Sequence, residues 1–377
     1  MNRLIRLFSL LLILLLLLSG MDCRQLTRKA PYLIFNGNGT EMQVLWQLNS
    51  SDTCRIEWGT DTLYSVGSAR TAEYDKDHQH TYIIKNLSPA QKYYYRVNIG
   101  DGIYNGTFYA APDSSAGKLC FFAYGDTRTN PDIHNRIANA IVKDYKADPD
   151  YQSLIICVGD LVVDGDVESL WDSEFFAPSY TGIQNMLGNI PYQSCMGNHE
   201  ESGELFKMYF PYPYVNGHYW SFNYGPAHFV DVDQYSDYTP GSAELKWLEN
   251  DLASTTKRWK FIYLHEPGWS AGDHPNDKSV QDYIQPLCTK YGVQIVFGGH
   301  NHYYARAVVD NVQHITTGGG GAPLYQTDPG FPHLVKAVSE NHFCKIEIDR
   351  DTLKFQAVTS SGEIIDSFTI VNPLPDN

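Results

Sequence analysis

The sequence predicts a two-part chain, a small all-β sandwich followed by a larger α/β layered fold. Three observations carry that prediction. Residues from about 30 to 110 read as short strands with turn signals at close intervals and little helical periodicity. A Pro/Ser/Gly-rich stretch, APDSSAG at 111–117, then interrupts the chain as a linker would. Beyond it, apolar strand-like runs alternate with amphipathic helical stretches. At 377 residues the chain is long enough for two domains, and 43% hydrophobic against 19% charged residues supports a packed core.

The elements follow in order. MNRLIRLFSLLLILLLLLSG opens with Arg3 and Arg6 and continues as a leucine run ending near Leu18. A charged start before an apolar stretch this short reads as an export signal over residues 1–23, with a retained anchor as the alternative. Cys23 follows closely and offers a site for lipid attachment, although the preceding GMD fits such a box poorly. The sandwich strands are MQVLWQL, CRIEWG, HTYIIKNL, KYYYRVNIG and GTFYAA. After the linker come the strand KLCFFAYGD, the helix DIHNRIANAIVKDYKA and the strands SLIICVGD and PYQSCMGNHE. A hairpin turning at Gly225-Pro226, the helix SAELKWLENDLAS, the strand WKFIYLHE, the helix KSVQDYIQPLCTKYG and the strand VQIVFGGHNH complete the alternation. The tail returns to strands, with turns at Arg350-Asp351 and Ser361-Gly362.

Bulk charge excludes one class of partner. A net charge of −15 and the lack of a basic run argue against nucleic acid. The seven cysteines are widely spaced, and Cys120, Cys157 and Cys195 lie in or beside apolar runs, so core thiols are expected rather than a disulfide framework.

The chemistry lies at the strand ends. Asp126 follows FFAYG, Asp160 follows IICVG, Asn198-His199 follow CMG, His265 follows FIYL, and His300 and His302 follow VFGG. One acid after a strand is ordinarily a turn or helix cap. Five strands in succession ending this way, nearly all with glycine before the polar group, are hard to explain as caps. In open α/β sheets that edge is where ligands bind. Asp, Asn and His without Cys suit Fe, Mn, Zn or Mg. His300 and His302, taken as an extended stretch, would face one side a step apart and could each serve one of two adjacent ions, with Asp160 bridging them.

The blocks GDTRTN, GDLVVDG, GNHE, YLHEPGWS and GGHNH, in that order, resemble the calcineurin-like metallophosphoesterases. The preceding sandwich, HEPGWS and the later HITTGGGGAPLY resemble the purple acid phosphatase branch. That resemblance implies an αββα metallophosphoesterase sandwich over 117–372, preceded by a fibronectin type III-like all-β domain over 30–112. It implies one metal site of Asp126, Asp160 and His302, and a second of Asp160, Asn198, His265 and His300. His199 would touch the phosphate, and His274, nine residues after His265, would contact substrate and protonate the leaving group. Two cations, Fe, Zn, Mn or Mg, would then acidify a water for in-line attack on phosphorus.

Val163 departs from the family, whose tyrosine there binds iron(III) and gives the purple colour; relatives that lack it carry a histidine where this chain has Arg128. The first site is left one protein ligand short, to be filled by water or by Asn130, and a colourless protein is expected. Arg128 is expected either to grip a phosphate oxygen or to pair with a nearby acid. Glu200 and Asp164 are expected to orient ligands. His134 is read as a helix-surface or ligand-supporting residue, and Gly318–Gly321 as a turn close under the site. Together these point to an exported phosphatase acting on phosphate monoesters. A phosphodiesterase or nucleotide hydrolase, and a non-catalytic surface-binding protein, are the alternatives.

Overall fold

A computed structural model describes residues 26–74, 76–147 and 154–372. The leader and Cys23 lie outside the described residues. The first unit consists of β1 (Thr27–Ile34), β2 (Met42–Leu48), β3 (Cys54–Gly59), β4 (Gly67–Thr71), β5 (Gln79–Ile84), β6 (Lys92–Ile99) and β7 (Gly102–Tyr109). They make a three-stranded sheet, β1-β2-β5, and a four-stranded sheet, β4-β3-β6-β7. In β6 every second residue of KYYYRVNI is buried, the period expected of a strand with one face on a core. Val44, Trp46, Ile56, Tyr95, Val97 and Phe108 fill the space between the sheets.

The second unit places two larger sheets face to face. One comprises β8 (Lys118–Tyr124), β9 (Ile155–Cys157), β10 (Tyr192–Ser194), β18 (His342–Asp349), β19 (Thr352–Thr359) and β20 (Ile364–Val371), in the order β10-β9-β8-β18-β19-β20. The other comprises β11 (Trp220–Tyr224), β12 (Ala227–Asp231), β13 (Trp259–Tyr263), β14 (Ile295–Gly298), β15 (Tyr304–Val309), β16 (Val312–Thr317) and β17 (Leu334–Val338), in the order β11-β12-β13-β14-β16-β15-β17. Phe121 of β8 joins them, meeting Phe229 and Phe261 edge-on at ring separations of 5.1 and 5.0 Å. Helices α1 (Pro131–Ala147) and α2 (Thr181–Leu187) add Ile137, Ile141, Ile183 and Leu187 to this core. On the other outer face, α3 (Ala243–Ser254) and α4 (Gln285–Tyr291) bring Leu248, Leu252 and Cys288 against Val230, Ile262 and Val296. The αββα architecture and its all-β forerunner are as expected.

Local sequence explains the details. The β11–β12 hairpin turns at Gly225-Pro226, with Tyr224 opposite Ala227. Gly225 has φ +56°, as the first position of the mirror-image hairpin turn requires. The six cysteines among the described residues are free and buried. Two expectations need correction. His134 is fully buried, its Nε2 2.9 Å from the Tyr124 hydroxyl, because α1 turns this residue toward β8 rather than solvent. The segment after Gly298 is not extended, since His300 takes φ +64°.

The two units are joined by polar contacts with little access to water. Lys29 of β1 is buried, with Nζ 2.8 Å from Glu168 and 2.7 Å from Asp172. The Tyr95 hydroxyl donates to the Gly188 carbonyl at 2.8 Å.

Candidate metal centre

The parallel strands β8, β9 and β10 of one sheet and β13 and β14 of the other end at a common edge. The residues leaving those ends are the predicted ones, and their backbones bend sharply. Asp126, Asp160 and His300 have φ of +55°, +56° and +64°, a conformation that side chains with a Cβ rarely adopt. Gly159, at φ +88°, allows the turn before Asp160; a Cβ there would stand 2.7 Å from the Gly197 amide nitrogen.

The donor atoms fall into two groups. Ligand atoms of Asp126, Asp160 and His302 all lie within 4.8 Å of one another, and all three residues are buried. Asp126 Oδ2 is buried with no hydrogen-bond partner among the described residues. In the second group, Asn198 Oδ1 lies 3.1 Å from His265 Nε2 and 3.0 Å from His300 Nδ1, and Asp160 Oδ1 lies 3.3 Å from the same His265 nitrogen. His265 Nδ1 is committed to the Val158 carbonyl at 2.6 Å. A carbonyl only accepts, so Nδ1 carries a proton and Nε2 is the ring atom turned toward the site. It faces two oxygens. A nitrogen and two oxygens that converge in this way are served by a proton on Nε2 or by a cation among them. The residues therefore fit cations of the kind the sequence predicts, one group on each side of Asp160.

Burial sets the protonation states. It drives the Asp126 carboxyl well above the usual range, and the Asp160 charge adds to the rise. Burial works the same way on Asp160, but His265 and His199 outweigh it and hold this carboxyl lower. Burial, helped by His265 and His274, lowers His300 to about 3; burial lowers His302 to about 4. Both rings are thus neutral and keep lone pairs for coordination.

The surroundings sort the remaining candidates. Glu200 is buried and accepts from the backbone amides of Gly197, Asp160 and Leu161 at 2.6, 2.9 and 2.8 Å, tying two ligand loops together. Burial and the neighbouring Asp160 push its carboxyl up to about 8. Asp164 instead closes its own turn, accepting from the Asp166 amide. Asn130 donates to the Gly321 carbonyl at 2.9 Å, which turns its amide nitrogen into the glycine turn. That turn does lie under the site, where a Cβ on Gly318 would come within 2.9 Å of Asp126 Oδ2. Arg128 Nε lies 3.2 Å from Asp160 Oδ2, and Nη2 lies 3.3 Å from His302 Nε2. His199 donates from Nδ1 to the Val163 carbonyl at 2.6 Å, leaving Nε2 3.9 Å from Asp160 Oδ2. His274 is held by its backbone amide on Asn301, and its ring lies 4.1 Å from that of His300.

Two residues at the site escaped sequence reasoning. Tyr325 stacks on His302 at 4.1 Å, with its hydroxyl 3.4 Å from His274 Nε2. It ends the GGGGAPLY run, which was the one available signal. Glu174 accepts from the amides of Thr129 and Val163 at 3.1 and 3.0 Å, and nothing in its local sequence marks it.

Comparison with known proteins fits this geometry. The model of the calcineurin-like phosphoesterases matches residues 121–304, and that of the purple acid phosphatase N-terminal domain matches 29–110. The chain belongs to the purple acid phosphatase-like branch of the calcineurin-like metallophosphoesterases. It is 24% identical to probable purple acid phosphatase 20 of Arabidopsis thaliana, over 71% of this chain and 66% of that protein. It is 26% identical to probable inactive purple acid phosphatase 24 of the same plant, over 90% and 68%. The chain thus spans about two thirds of the length of these relatives. The solved structure of the purple acid phosphatase PPD1 from yellow lupin seeds shares the fold, with TM-score 0.75 at 20% identity, covering 91% of this chain and 74% of that one. The family's fold implies a dinuclear metal site.

Proposed function

We propose that this protein hydrolyses phosphate monoesters with the help of two cations, held by Asp126, Asp160 and His302 on one side and by Asp160, Asn198, His265 and His300 on the other. The observation that carries the reading is the buried cluster of Asp126, Asp160 and His302, whose ligand atoms lie within 4.8 Å of one another and whose Asp126 Oδ2 has no hydrogen-bond partner among the described residues. When bound, such a pair neutralises charge on the phosphate and makes a water acidic enough to serve as nucleophile.

The chain's own residues supply the rest. His199, anchored through Nδ1, offers Nε2 to a phosphate oxygen. His274, fixed by Asn301, offers a proton to the leaving oxygen. Arg128 stands at the rim with 15% of its side chain exposed, where a guanidinium can take a phosphate oxygen. Glu200 and Glu174 keep the ligand loops in register through the amides they accept.

Protein loaded with Mn2+, Zn2+ or iron is expected to cleave para-nitrophenyl phosphate faster than its bis-ester. The Asp160→Asn variant should lose activity by at least about a hundredfold, as expected when a shared charged ligand is removed. Preference for the bis-ester would move the assignment to a diesterase. Several relatives from Arabidopsis thaliana carry the name probable inactive purple acid phosphatase, which gives a non-catalytic binding role its support. No release of phosphate from any ester under any of these metals would favour that reading. The charged start and leucine run of residues 1–23 support an exported protein, and N-terminal sequencing of secreted material tests it. No helix among the described residues is long and apolar enough to cross a membrane.

A further inference from the structure

Arg128 touches the atoms that a first cation needs. Its Nε is 3.2 Å from Asp160 Oδ2 and its Nη2 is 3.3 Å from His302 Nε2. His302 Nδ1 lies 2.8 Å from the Pro323 carbonyl, so this ring nitrogen donates and Nε2 carries the ring's single available lone pair. One lone pair serves either an N–H donor or a cation, never both. Asp160 Oδ2 could in principle be shared, but a guanidinium and a metal ion bring like charges to the same oxygen. Val163 adds no donor to offset this, because valine carries none. The second group has no arginine or lysine against it among the described residues: Asn198 Oδ1, His265 Nε2 and His300 Nδ1 face one another and Asp160 Oδ1.

We propose that Arg128 is a built-in competitor for the first cation, so that the two sites fill with unequal affinity and occupation of the first requires the guanidinium to leave Asp160 and His302. The inference rests on the two-cation reading above. It also links the two roles expected of this arginine: as an ion-pair partner it holds the first site against metal, and once displaced it is free at the rim to meet a phosphate oxygen.

The test is calorimetric titration of Mn2+ into the full chain stripped of metal by a chelator, with folding of every variant checked by circular dichroism. The wild type should take up Mn2+ in a tight step and a weak one. In Arg128→Ala the weak step should tighten by about tenfold or more, the loss of one charge-assisted competitor, while the tight step stays near its original value. Arg128→Lys separates donor competition from charge alone. Lysine keeps the charge but cannot bridge Asp160 and His302, so its weak step should also tighten, by less than in the alanine variant. A weak step unchanged or weakened in Arg128→Ala overturns the proposal, as does an Arg128→Lys protein indistinguishable from wild type. Should no variant take up Mn2+ at all, the two-cation reading itself fails, which is distinct from uptake that is merely insensitive to Arg128.

Discussion

Val163 stands where the purple members of the family carry a metal-binding tyrosine, and what it contributes here is backbone. Its amide donates to Glu174 and its carbonyl accepts from His199. With an aliphatic side chain at this position, iron-loaded protein is expected to show no visible tyrosinate-to-iron band. A visible absorption spectrum after loading with ferric iron checks this. Tyr325, the phenol that stacks on His302, turns its hydroxyl to His274 and is kept protonated by burial. A band would mean that this or another phenolate had reached the metal.

At the scale of elements, the site depends on acceptors that fasten loops. Glu200 satisfies three buried amides, those of Gly197, Asp160 and Leu161. Glu200→Ala should therefore cost about 3 kcal/mol or more of stability, with Glu200→Gln between it and wild type. Urea unfolding measures this, and an alanine variant as stable as the parent would refute the role. Strand β1 presents a similar case. Lys29 is buried against Glu168 and Asp172, and its Nζ also reaches Gln47. Lys29→Ala leaves those carboxylates to Arg28, with the Tyr209 hydroxyl on Glu168, and should destabilise the protein by about 3 kcal/mol, seen as a lowered urea midpoint. The strands and helices were legible because their periodicity is local. His134 was misread because a helix pattern does not tell which neighbour covers a polar residue on its inner face.

For the whole molecule, buried histidines make part of the stability depend on pH. Burial alone lowers His134 to about 3, and burial lowers His342 to about 4, against 6.5 for a free histidine. Both are neutral in the folded state, and the unfolded chain takes up their protons first as the pH drops. Their contribution to stability is complete above pH 6.5 and is lost below it, by about 1.4 kcal/mol per pH unit for each ring until its folded value is reached. Glu200, whose carboxyl is raised to about 8, works the opposite way and favours the fold as the pH drops toward 4.5, so the histidine effect is read as a difference between proteins. The urea midpoint of the wild type relative to His134→Gln should be level above pH 6.5 and shrink steadily from pH 6 to pH 4. A difference unchanged across that range would contradict a buried neutral ring at His134.

By itself, the sequence determined which donors exist and in what order they arrive. Glycine-polar pairs after apolar runs are local signals, and the backbone obeys them at Asp126, Asp160 and His300. It could not determine which lone pair faces which. The contact between Arg128 and His302 joins residues 174 apart, and the one between Tyr325 and His274 joins residues 51 apart. Those meetings depend on two sheets packing through Phe121, Phe229 and Phe261 so that their strand ends share one edge. Side-chain direction at that edge follows from long-range packing and hydrogen bonding, and neither leaves a periodic trace along the chain.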